Sequence, residues 1–139
     1  MKPEEIMIGD WVNILNYHYD GSPYAGQVDG IAKKHGTYYL QFGSALSAEI
    51  DRCEPIPITP EILEKNGFVG KPYAFCKIDE HSWLEYYYHE HRLQKWWRGV
   101  DEWNNHAEVA EMSFQCQCHF VHELQHALRL CAVNKTIEL

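Results

Sequence analysis

A chain of 139 residues, 45% hydrophobic and 23% charged, has the balance of a folding globular protein, with room for one ordinary domain or two small subdomains but not two large ones. A formal net charge of -8, with Lys and Arg scattered along the chain, leaves no basic field for phosphate backbones or anionic lipid, so nucleic acid is a poor partner. The opening MKPEEIMIGDWV has carboxylates where a signal peptide needs an apolar core, and no apolar run reaches membrane-spanning length; the expected location is cytoplasmic, away from the membrane.

Nine Tyr and five Trp bias the chain toward sheet, because flat rings pack well on half-buried pleated surfaces. Residues 8 to 58 read as short strands: Trp11 to Leu15 after Gly9-Asp10, Gly26 to Ile31 after the turn signal Asp20 to Pro23, and Thr37 to Phe42 across the tight connection Lys34-His35-Gly36. The connector Glu54-Pro55-Ile56-Pro57-Ile58-Thr59-Pro60 disfavours helix ahead of each proline and sets the expected division, 1–58 and 59–139. Thr59 as N-cap, Pro60 in the first turn and Asn66-Gly67 as the stop predict a short helix over 60–66.

Tyr73 to Ile78, Trp83 to Tyr88, Leu93 to Arg98 and Val109 to Cys118 read as a meander of antiparallel strands. Phe120 to Cys131 has helical periodicity, with Phe120, Val121, Leu124, Ala127, Leu128 and Cys131 on one face and His119, His122, His126 and Arg129 opposite, facing solvent or a cleft. Asn134 is expected to end that helix before a final strand, Thr136 to Leu139. The expected fold class is α+β and β-rich: a small N-terminal barrel, then an antiparallel meander closed by one C-terminal amphipathic helix.

Two resemblances refine this. The runs GDWV, GQVDGI and YYLQF resemble KOW/Tudor-like small barrels, which implies a curled sheet that in many cases binds proteins or nucleic acids. The phrases EPIPITPEILEKNGF (residues 54–68) and FVHELQHALRLCAV (residues 120–133) resemble a set of short proteins of gut bacteria and their phages or mobile elements. That resemblance implies an N-terminal β segment, a closing helix before a terminal strand, and no catalytic residues.

His122-Glu123-Leu124-Gln125-His126 matches H-E-x-x-H, in which two imidazoles one helical turn apart can ligate Zn²⁺ while the Glu serves as general base, so a zinc-dependent hydrolase is one candidate. Arg129 and Ala132 stand where the extended H-E-x-x-H-x-x-G-x-x-H pattern needs Gly and His, and the third-ligand candidates Glu138, His119, His81, His89, His91 and His106 have no diagnostic spacing. A solvated polar helix face accounts for the same residues without metal. The five cysteines are odd in number and contain no C-x-x-C, which points to reduced thiols; Cys116 and Cys118 fall on one face of a strand and could form a redox or metal pair.

Trp83, Tyr86, Tyr87, Tyr88, Trp96, Trp97 and Trp103 could line a groove for a partner, since Tyr and Trp concentrate at binding hot spots. The leading expectation is therefore a non-enzymatic protein-binding or structural protein of a phage or mobile element, without cofactor, binding an unknown protein through Trp83, Tyr86, Tyr88, Trp96 and Trp97. The alternatives are the zinc hydrolase (His122, His126, Glu123) and a nucleic-acid-binding barrel that gathers Lys33, Lys34 and Tyr38 on one face.

Overall fold

A computed structural model of the chain describes residues 1–43, 45–100 and 108–139. The fold is α+β and β-rich, with antiparallel sheets and a C-terminal helix. The chain divides into two compact units, Met1–Pro57 with Phe120–His122, and Ile58–His119 with Glu123–Leu139.

In the first unit, β1 (Trp11–Ile14), β2 (Tyr24–Gln27) and β6 (Cys53–Pro55) form one antiparallel sheet in the order β2-β1-β6. A second sheet, β3-β4-β5, comprises β3 (Gly30–Lys34), β4 (Thr37–Phe42) and β5 (Leu46–Glu49). Val12, Ile14, Val28, Leu40, Phe42, Ala48, Ile50 and Cys53 make one buried cluster between them. The expected barrel thus takes the form of two open three-stranded sheets around a shared core, and among the described residues their ladders do not close into a cylinder. Gly26 is required by this packing, because a Cβ there would lie 2.7 Å from the Phe42 ring.

Gly26 to Ile31 is not the single strand its alternation suggests. The Val28 N–H donates to the Asp10 carbonyl and the Asp29 N–H to the Gln41 carbonyl, so the chain leaves one sheet and enters the other across these two residues. The turn at His35-Gly36 has positive φ at both positions, 50° and 82°, the conformation that matches the twist of a two-residue hairpin.

In the second unit, α1 (Pro60–Lys65) starts as its sequence dictates, with the Thr59 hydroxyl oxygen accepting the Ile62 N–H at 3.2 Å. It ends at buried Asn66, and Gly67 follows at φ 88°. A four-stranded antiparallel meander runs β10-β9-β8-β7, built from β7 (Tyr73–Lys77), β8 (Ser82–Tyr87), β9 (Arg92–Val100) and β10 (Glu108–Gln117). Ala74, Cys76, Leu84, Tyr86 and Leu93 alternate onto its buried face.

Helix α2 (Val121–Leu130) buries Val121, Leu124, Ala127 and Leu128 as its periodicity predicts. His122 and Gln125 are buried as well, which corrects the expectation of a histidine face turned to solvent: the helix is covered around more of its girth than an amphipathic surface helix. Among the described residues no helix is long and apolar enough to cross a membrane.

The final strand predicted at Thr136–Leu139 is absent. Instead, the Asn66 amide clamps the tail: its Nδ2 donates to the Ile62 and Glu138 carbonyls, both at 2.7 Å, while its Oδ1 accepts the Glu138 N–H at 2.8 Å. The Lys65 ammonium also donates to the Leu139 carbonyl. Paired side-chain bonds replace a strand ladder, so a short polar tail orders without sheet. Asn66→Ala leaves these backbone groups unmatched and should cost about 2–3 kcal/mol in urea unfolding, with faster amide exchange at Glu138; unchanged exchange at Glu138 would refute the clamp.

Candidate functional site

Successive residues of a strand point to opposite faces, so the apolar positions that fill the inner face of β7, β8 and β9 commit the intervening residues to the outer face. The register places them in cross-strand rows: Tyr73, Tyr87 and Arg92 in one; Phe75, Glu85 and Gln94 in the next; Lys77, Trp83 and Trp96 in a third. The aromatic members pack along these rows. The rings of Tyr73 and Tyr87 stack with centroids 5.3 Å apart, and those of Trp83 and Trp96 stack 6.3 Å apart at 8°. Phe75 lies 6.3 Å from Trp83.

Cations cover two of the rings. The Arg92 guanidinium lies 4.9 Å from the Tyr87 centroid and that of Arg98 lies 5.2 Å from the Trp83 centroid, distances at which the ring quadrupole attracts positive charge. Arg92 also pairs with Glu90 at 3.0 Å.

Glu85 anchors the centre. Its Oε1 accepts the Trp83 indole N–H at 3.2 Å and its Oε2 accepts the Tyr87 hydroxyl at 2.7 Å. The latter bond is the largest cause of the Tyr87 phenol being pushed up to about 12, because ionising it would place two negative oxygens in contact. One row further, the Trp96 indole donates to the Gln94 amide oxygen at 3.0 Å, and Gln94 donates in turn to Gln115 at 3.3 Å.

Tyr73, Phe75, Lys77, Trp83, Glu85 and Arg98 line a cleft of about 360 Å³, together with Asp79 and Glu80 of the β7–β8 connection and Ser82 at the start of β8. The turn is held by the Asp79 carboxylate, which accepts the His81 and Ser82 N–H groups at 2.7 and 2.8 Å; those bonds lower its pKa. Tyr73 and Phe75 remain 41% and 39% exposed, an unusual state for rings side by side on a sheet.

The expected binding residues separate. Trp83 and Trp96 share the outer face. Tyr86 does not: it is 1% exposed on the inner face, and its hydroxyl donates to the Cys118 carbonyl at 2.7 Å, which makes it a core residue. The alternation that turns Trp83 and Tyr87 to the outer face requires this. Tyr88 lies beyond the end of β8 and lines a smaller cleft of about 260 Å³ with Pro60, Glu64, Phe68, Val69, Gly70 and Lys71. Trp97 has the inner-face parity but is exposed, folded over Gly99, whose absent Cβ would stand 2.0 Å from the indole. Trp103 and His106 lie outside the described residues.

Sequence reading missed Tyr73, Phe75, Glu85 and Arg98 as members of this surface. The signal was the matching period-2 pattern of β7 and β8, legible only once their register is known.

The H-E-x-x-H residues have other partners. The Glu123 Oε1 accepts the His119 N–H at 3.0 Å, a bond that ties down the backbone ahead of α2, as a capping carboxylate does. His122 is buried with its ring 6.0 Å from that of Phe120, and His126 is half-buried one turn on. The His119 ring stacks on His91 at 4.4 Å. Among the described residues no group of three or more His, Cys, Asp or Glu side chains is placed to hold a metal ion.

All five cysteines carry free thiols. The Sγ atoms of Cys116 and Cys118 touch at 3.5 Å, and burial pushes both thiols up, which disfavours the thiolates that metal binding and disulfide exchange use. On the first unit, Lys33 lies 5.0 Å over the Tyr38 ring as a cross-strand pair, while the pleat sends neighbouring Lys34 to the opposite face.

No protein-family model, no curated protein and no solved structure matches this chain.

The Tyr87–Glu85 bond gives a pH prediction. A phenol with a raised folded-state pKa contributes stability that is fully present below about pH 10, the unfolded value, and is lost as pH rises through about 12. Ultraviolet difference titration of wild type against Tyr87→Phe should show one phenol ionising near 12, and in a Glu85→Gln background that phenol should move back toward about 10. An ordinary phenol in both backgrounds would exclude the bond.

Proposed function

We propose that this chain is a non-enzymatic protein-binding module that docks a partner segment on the outer face of β7, β8 and β9. The observation that carries the reading is a ring array beside a formed cleft: exposed Tyr73 and Phe75 and half-buried Trp83 line it, and half-buried Trp96 stacks on Trp83. Large rings side by side on an open sheet face supply contact area at low entropic cost, the composition of binding hot spots. Trp83 and Trp96 are pre-oriented by the Glu85 and Gln94 acceptors, so little ordering remains for the moment of binding. The cytoplasmic setting rests on the five free thiols, which suit a reducing compartment, and an origin in a phage or mobile element rests on the resemblance of residues 54–68 and 120–133.

Selection of a random peptide library against the purified protein tests this reading. Enriched peptides should bind the wild type and lose about tenfold or more in affinity on the Trp83→Ala/Trp96→Ala double variant, each lost anchor being worth about 1–2 kcal/mol or more. Trp11→Ala, on the first unit, should leave binding intact. Peptides that bind the double variant as tightly as wild type would place the docking surface elsewhere and overturn the reading.

A further inference from the structure

The cleft beside β7 has a chemical bias that the ring array alone does not give. Its lining includes three carboxylates, Asp79, Glu80 and Glu85, against two cations, Lys77 and Arg98, on a chain whose formal net charge is -8. Phe75 and Glu85 are direct cross-strand partners on the outer face, so a ring and a carboxylate stand side by side at the spacing of opposed residues, about 5 Å between Cβ atoms. Both oxygens of Glu85 already accept one bond each, from Trp83 and Tyr87. Those donors fix the carboxylate plane, and each oxygen retains a lone pair, since an ionised carboxylate has about four acceptor sites.

A group that lies flat on a ring while donating two parallel N–H bonds to a carboxylate is a guanidinium. The chain's own Arg98 shows that this surface accepts one, with its guanidinium over the Trp83 ring. A volume of about 360 Å³ is at the small end for ligand clefts and suits one long side chain rather than a folded element.

We propose that this cleft takes an arginine side chain of the partner segment, stacked on Phe75 and held by the Glu85 carboxylate. The inference rests on the docking reading above and adds to it the partner's charge: a basic side chain meeting a cleft in which carboxylates outnumber cations three to two beside exposed rings. Arg98 remains over Trp83, so two guanidinium groups share the face, with the Asp79, Glu80 and Glu85 carboxylates offsetting their repulsion.

The test follows the indole N–H resonance of Trp83 by nuclear magnetic resonance, assigned by its loss in Trp83→Phe. Two probes are titrated at matched ionic strength: N-acetyl-arginine amide and N-acetyl-citrulline amide, which has nearly the same shape without the charge. Arginine amide should shift the Trp83 signal saturably and about tenfold more tightly than the citrulline probe, the difference expected of a charge-assisted bond over a neutral one. In Glu85→Gln, which keeps the shape of the side chain and one acceptor oxygen but removes the charge, the two probes should agree within about twofold. Equal binding of the probes to wild type would overturn the cation assignment while leaving the docking face standing. An arginine preference that survives Glu85→Gln would overturn the role of Glu85. No shift with either probe would overturn the inference, and the docking reading would then stand or fall on the peptide selection alone.

Discussion

The second unit depends on the register of β7, β8 and β9. With Phe75 opposite Glu85 and Trp83 opposite Trp96, alternation sends Leu84, Tyr86 and Leu93 inward and the rings of Tyr73, Phe75, Trp83, Tyr87 and Trp96 outward. A slip of one residue between any two of these strands would bury Glu85 or Lys77 and expose Leu84 or Leu93, at the cost of several kcal/mol of lost burial and desolvated charge. The register is therefore held by the core. The outer face inherits it, and that is how a row of rings, a carboxylate and two guanidinium groups come to stand in fixed order without a core of their own to order them.

The inner face also links this sheet to the rest of its unit through polar groups that have found partners. The Tyr86 hydroxyl bonds the Cys118 carbonyl, and the Lys95 ammonium reaches the Cys131 carbonyl just past the end of α2 at 2.9 Å. Asn66 does the same for the tail. These are buried or half-buried side chains satisfying backbone groups where no ladder continues, and each fixes a segment whose own sequence is too short or too polar to form a strand.

Much of the fold was legible because its signals are local. The Thr59-Pro60 start and Asn66-Gly67 stop of α1, the His35-Gly36 hairpin, the four meander strands and the extent of α2 all follow from capping, turn chemistry and periodicity within a few residues. What was not legible needs partners remote in sequence. The break at Val28-Asp29 depends on Asp10 and Gln41, the missing terminal strand depends on Asn66, and the burial of His122 depends on what surrounds the helix rather than on its own pattern. The candidate site shows the same division. Trp83 and Trp96 could be picked out as aromatic residues, but Tyr86 could not be assigned to the core, nor Phe75 and Glu85 to the surface, until the faces were known. In the H-E-x-x-H segment the sequence supplies a ligand pattern, while the structure engages Glu123 with the backbone ahead of the helix.

The most direct measurement compares the two faces of one strand by unfolding free energy, using Leu84→Ala on the inner face of β8 and Trp83→Ala on the outer. A face kept for a partner carries little of the fold's stability. Leu84→Ala should then cost about 2–5 kcal/mol, as buried leucines do, and Trp83→Ala about 1 kcal/mol or less despite the larger side chain removed. A Trp83→Ala cost equal to that of Leu84→Ala would show that the ring array is part of the core, and would contradict a surface held open for docking.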